Sequence, residues 1–99
     1  MTQQDDKSRD LYMEADTVVC EVPCELNSIV VANDGVGNGV SVLRDGQTAS
    51  DDIKIPAYTL KGQSFTFVPP KPIKFNKGLF FDIGANVVSA AINYTIMEK

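Results

Sequence analysis

Apolar and polar residues alternate most cleanly near the C-terminus. Across residues 88–96, Val88, Ala90, Ile92, Tyr94 and Ile96 fall on one face, and Ser89, Ala91, Asn93 and Thr95 on the other. A period of two marks a strand with one face in the core and one in water. Leu79, Phe81 and Ile83 repeat the pattern upstream, and Gly84-Ala85-Asn86 supplies turn residues between the two. Residues 79–96 are therefore predicted to form an antiparallel hairpin against which the rest of the chain packs.

Upstream, the pattern predicts a series of short strands. Residues 17–22 place Val18, Cys20 and Val22 on one face and end at Pro23. Residues 25–33 hold the run Ile29-Val30-Val31-Ala32, whose unbroken apolarity predicts a central strand covered on both faces. Gly35, Gly37 and Gly39 mark a loop. A strand over 39–44 sets Val40 and Val42 opposite Ser41 and Leu43, and Asp45-Gly46 turns the chain. Residues 53–60 read as a strand whose Pro56 demands an edge or a bulge. Phe65 and Phe67 share one face of the next strand, and Ile73 and Phe75 anchor a short one beyond a proline-rich crossing. Seven or eight strands at a spacing of about 8–12 residues, with no amphipathic helix, predict an all-β fold. The expected architecture is an antiparallel β-sandwich, either a jelly roll or an Ig-like Greek key. Its predicted core includes Val18, Val42, Leu60, Phe75, Phe81 and Ile92.

The N-terminus breaks the pattern. Residues 2–10 are polar or charged, so residues 1–16 are expected to form a flexible arm ahead of a sandwich domain at 17–99. Leu11, Tyr12 and Met13 could dock on the body or on a partner, or form a short helical turn.

Composition narrows the function classes. Ninety-nine residues make one domain, and 43% hydrophobic content excludes wholesale disorder. No apolar run approaches ~18 residues, so no membrane helix is expected. The first residues lack the basic-then-apolar layout of a secretory signal, so synthesis in the cytoplasm is expected. A net charge of −4 argues against nucleic-acid binding. The charge is unevenly distributed: residues 1–53 carry eleven acids and three bases, whereas 54–77 carry Lys54, Lys61, Lys71, Lys74 and Lys77 and no acid. Either these lysines are solvated on exposed strands and edges, or they form a surface complementary to another copy or an acidic partner.

Candidate chemistry is sparse. Without histidine there is no Ser-His-Asp or Cys-His system. Cys20 and Cys24 are too few for a structural metal site and lack CxxC spacing. A disulfide needs Cα atoms within ~7 Å, and extended residues four apart lie roughly 13 Å apart, so a local disulfide requires Pro23 to bend the chain sharply, and buried free thiols are the expectation otherwise. The glycines of 35–39 lack the GxxxxGK[ST] pattern of a phosphate loop. Asp34 and Asp51-Asp52 lack EF-hand spacing. Asp82 sits in an apolar setting and is expected on the outer face, solvated or paired with a lysine. No catalytic, metal or cofactor-binding residue can be named, and an enzyme is not expected. Phe80 and Val87 fall opposite the regular apolar set, so Phe80 either fills a second layer or faces a neighbouring subunit.

One resemblance adds to this reading. Leu26, Ile29, Val31 and Asn33 precede the glycine loop. Val40, Val42, Asp45 and Gly46 follow it, and then Ile73, Phe75, Gly78, Leu79, Asp82 and Ile83 precede the last alternating strand. Over residues 25–97 this succession resembles small β-rich structural proteins of tailed bacteriophages. The resemblance implies a virion component on the capsid surface, made in the host cytoplasm. Capsid decoration (cement) proteins, head fibres and tail-associated modules are the types implied. It further implies contacts with the major capsid protein and with copies of itself, often as a homotrimer, and no nucleic-acid or membrane partner. Leu11, Tyr12, Met13, Lys71, Lys74 and Phe80 are the expected contact residues. The rival reading is a carbohydrate-binding or adhesion module. Most phenylalanines are expected in the core, which leaves Tyr58 as the candidate platform.

Overall fold

A computed structural model describes residues 8–97. They form nine strands: β1 (Ser8–Met13), β2 (Thr17–Cys20), β3 (Cys24–Asn33), β4 (Gly39–Asp45), β5 (Asp52–Thr59), β6 (Phe65–Phe67), β7 (Ile73–Phe75), β8 (Leu79–Asp82) and β9 (Val87–Ile96). No helix occurs among the described residues. All pairings are antiparallel. The first sheet runs β1-β9-β3, with β6 and β7 end to end along the far edge of β3. The second runs β2-β8-β4-β5. With β6 and β7 taken as one broken strand, this is the order of an eight-stranded jelly roll. It is one of the two sandwiches the sequence predicts.

The first sheet presents inward rows set by its register. Leu11, Ile92, Ile29 and Phe67 form one row. Met13, Ala90, Val31 and Phe65 form the next. Leu43, Ala57, Leu79 and Phe81 meet them from the second sheet and are fully buried. Each large side chain removed from water here contributes roughly 1.5–3 kcal/mol. Leu26 and Phe75 extend this core, and Cys20 and Cys24 are buried in it as free thiols, as expected.

Several expectations need correction. Residues 79–96 are not a hairpin, because β8 belongs to the second sheet and β9 to the first. The turn residues instead bridge the layers. Gly84 lies so close to the Val40 carbonyl that a Cβ would collide with it, Asn86 takes φ 64°, and the Gly84 amide donates to Ser41 Oγ at 3.1 Å.

The faces of β2 and β4 also differ. A bulge between Val18 and Cys20 turns Val19 and Cys20 inward together and leaves Val18 exposed. In β4, Ser41 and Leu43 are fully buried and point inward, whereas Val40 is exposed on the other side. Val42 shares that outer side but is itself buried, at 7%, so its expected burial holds while its face does not. Period-two reasoning could not choose there, because both sets contain residues that fit a core. Leu60 falls beyond the end of β5 and is 62% exposed.

Next, β3 is central but covered on one face only: Val30 points out and is 42% exposed. Finally, Ser8–Met13 is not part of an arm but an edge strand paired with β9 from Ser8↔Thr95 to Met13↔Ala90. Leu11 and Met13 contribute apolar anchors to the inward rows, which outweighs the polar context around them. The remainder of the predicted arm before Ser8 lies outside the described residues.

Candidate interaction surfaces

The two outer faces of the sandwich are built from outward-pointing positions of different character. On the second sheet, the register sets Val18, Phe80, Arg44 and Ile53 in one row. Asp82, Val42 and Pro56 form the next row, and Val40 lies beside Tyr58. Tyr58 is 56% and Val40 51% exposed, and Ile53, Pro56 and Val18 are also exposed. Phe80, at 8%, lies shielded among its neighbours. Its outward position agrees with the expectation that it leaves the regular apolar set.

One ion pair sits in this apolar face. Arg44 Nε donates to Asp82 Oδ2 at 2.9 Å, and both side chains are largely covered. Arg44 Nη1 also donates to the Asp51 carbonyl at 2.7 Å. Asp82 thus lies on the outer face, but its cation is Arg44 rather than a lysine. At the adjoining turn, Asp51 Oδ2 accepts from the Gln47 amide at 2.8 Å and the Thr48 amide at 3.0 Å. These donors hold the Asp51 carboxyl below its ordinary value.

The outer face of the first sheet is amphipathic. Tyr12, Ala91, Val30 and Thr66 form one row, and Asp10, Asn93 and Ser28 the next. Because Ala91 is small and its flanking neighbours are larger, the sheet carries a trough of about 330 Å³ there. Its polar end is fixed by side-chain bonds. Asn93 Nδ2 donates to Asp10 Oδ1 at 2.6 Å, and Asn27 Nδ2 donates to Asn93 Oδ1 at 2.8 Å and Thr95 Oγ1 at 2.9 Å. Tyr12, 62% exposed, donates its hydroxyl to Glu14 Oε2 at 2.8 Å.

The six expected contact residues do not share a surface. Leu11 and Met13 point into the chain's own core. Tyr12 flanks the trough, and Lys74 lies opposite Glu25 on the same sheet. Lys71 is exposed in the crossing between β6 and β7, and Phe80 is on the opposite sheet. The lysine-rich segment does gather in space. Lys54, Lys61, Lys71 and Lys74 are exposed along the side formed by β5, β6 and β7, with Lys54 Nζ 5.9 Å from the Phe75 ring. Asp10, Glu14, Asp16 and Glu21 are exposed along the opposite side, at β1 and β2.

Sequence reasoning missed the apolar outer face itself. A usable signal was present in β5, where Pro56 marks an edge strand and Tyr58 shares its parity, opposite the inward Ile55 and Ala57. Ile53 has the inward parity and reaches the outer face only through the register shift at Leu43/Arg44.

The Cys24 thiol is quiescent. Burial pushes the Cys24 thiol up to about 12, and the adjacent Cys20 adds to the effect. Cys24 therefore stays protonated near neutrality and is a poor nucleophile. Among the described residues no cluster of three or more His, Cys, Asp or Glu could hold a metal ion. No protein-family model, curated protein or solved structure matches the chain.

Proposed function

We propose that this chain is a structural protein of a tailed-bacteriophage virion, a capsid decoration protein that attaches to the head through protein–protein contacts. The observation that carries this reading is the apolar outer face of the second sheet. A face that exposes Val18, Val40, Ile53, Pro56 and Tyr58 around a covered Phe80 has the composition of a buried contact. The resemblance over residues 25–97 selects the setting. Architecture alone cannot, since jelly rolls recur in both viral shells and lectins. The major capsid protein is the partner, with other copies of the chain as neighbours in a homo-oligomer. Many copies on one shell would raise a modest single-site affinity by multivalency.

The test is co-purification of the full chain with an assembled particle at a fixed stoichiometric ratio. Val40→Asp and Tyr58→Asp place charge on exposed positions of the apolar face, and each is expected to remove the chain from particles. Retention of both variants at wild-type occupancy would reject this face as the contact. Removing the first sixteen residues is a poor test of an arm, because it also strips β1 from β9. Truncation before Ser8 is the clean version.

A further inference from the structure

We propose that the trough on the outer face of the first sheet is a saccharide-binding site. It is a second surface, distinct from the one on which the decoration reading rests. Three properties of the trough point to this ligand class.

The first is its divided chemistry. Tyr12, Ala91 and Val30 form an apolar half, and Asp10, Asn93 and Ser28 a polar half one row away. A pyranose has the same division: an apolar C–H face that packs on an aromatic ring, and a rim of hydroxyls that both donate and accept. The volume of about 330 Å³ lies at the lower end for small-ligand sites.

The second is preorganisation. Asn93 is held on both sides, donating to Asp10 Oδ1 and accepting from Asn27 Nδ2. The Tyr12 hydroxyl is tied to Glu14. Groups already fixed lose little conformational freedom when a ligand arrives. The bond between Asp10 and Asn93 uses one carboxylate oxygen and one amide hydrogen. Among the described residues the second oxygen and the second hydrogen are not otherwise engaged, which leaves an acceptor and a donor for a ligand's hydroxyls.

The third is what the trough cannot offer. Its floor is β9, whose backbone is paired on one side to β1 and on the other to β3. An extended peptide would have no main-chain groups to bind there and could not add as a strand. The carboxylate of Asp10 disfavours an anionic ligand. A neutral polyhydroxylated ligand that uses side-chain groups remains.

The test is a ¹H–¹⁵N correlation titration of the full chain. The probes are maltotriose, cellotriose, mannotriose and chitotriose, each taken to about ten times a millimolar dissociation constant. At least one probe is expected to give saturable shifts centred on the amides of residues 10–12, 28–30 and 91–93. Tyr12→Ala is expected to weaken binding by about tenfold. Ala91→Leu, which fills the trough from an outward position, is expected to abolish it, and Tyr58→Ala on the opposite face to leave it unchanged. Tyr12→Ile replaces Tyr12→Ala if the latter loses native peak dispersion. Absence of shifts with all four probes overturns the proposal. So do shifts centred on the second sheet, or binding that survives both trough substitutions. A chain that binds particles but none of these saccharides would keep its structural role and lose this site.

Discussion

The two sheets bury similar inner faces and present different outer ones. Inward, both supply fully buried apolar side chains, such as Ile29 and Ile92 from the first and Leu43 and Phe81 from the second. Outward, the first carries a fixed ladder of Asp10, Asn93 and Asn27. The second carries Val40, Tyr58 and Ile53 around one ion pair. Inner positions are constrained by the need to fill the space between sheets, so they say which fold forms. Outer positions are released from that need, so their departures from a solvated polar surface carry the information about partners.

The strongest way to break this comparison is to disturb the strand that lends the first sheet its outer wall. Met13 is buried in the core, while its neighbour Tyr12 stands on the outer face. Met13→Ala is expected to cost about 2–5 kcal/mol in a denaturant titration. If β1 were a loosely laid arm, the cost would fall within about 0.5 kcal/mol, the range of a surface substitution.

A smaller effect is expected at the ion pair on the second sheet. Asp82→Ala leaves Arg44 without its carboxylate in a largely covered position. The expected loss is about 1–3 kcal/mol, because a poorly solvated charge loses its partner. Arg44→Met with Asp82→Leu should recover much of that loss, since an apolar pair fits the surrounding face. A double variant less stable than Asp82→Ala would show that this face depends on its charges.

Smaller again is the ladder on the first sheet. Asn93 holds its partners on a partly open surface, so Asn93→Ala is expected to cost about 0.5–1.5 kcal/mol. A larger loss, near that of Met13→Ala, would mean that the ladder supports the core and does more than shape the outer face.

The inner faces were far more legible in the sequence than the outer ones. Period two in residues 88–96 identified Ala90, Ile92 and Tyr94 as core, and they are buried. Phe75, Leu79 and Phe81 were legible for the same reason. Legibility failed where an apolar residue sat on both parities, as at Val40, Ser41, Val42 and Leu43. It failed at Val18, where a bulge shifts the phase by one residue. The hairpin expected at 79–96 failed because turn residues specify a reversal and not the sheet to which the chain returns. The trough was illegible, because it joins Asp10 and Tyr12 to Asn93, more than eighty residues away in sequence. That proximity follows from β1 pairing with β9, and local pattern cannot register such a pairing.

The smallest expected effect lies at the turn that braces the apolar face. Asp51 accepts from the Gln47 and Thr48 amides and from the Thr48 hydroxyl, while its own carbonyl accepts from Arg44. The amide donors favour the ionised carboxylate and lower its pKa in the folded chain. A depressed carboxylate stabilises the fold at pH values above its unfolded pKa. That contribution fades as the pH falls through the lower folded value, once both states are protonated. The stability difference between the wild type and Asp51→Asn, followed from neutral pH downward, is therefore expected to be positive and flat. It should then shrink below the ordinary carboxylate value of 3.8. Because the group is exposed, the difference should stay small throughout. A difference that grows on acidification would mean that the turn is held by something other than these donors, and that Arg44 is braced by another route.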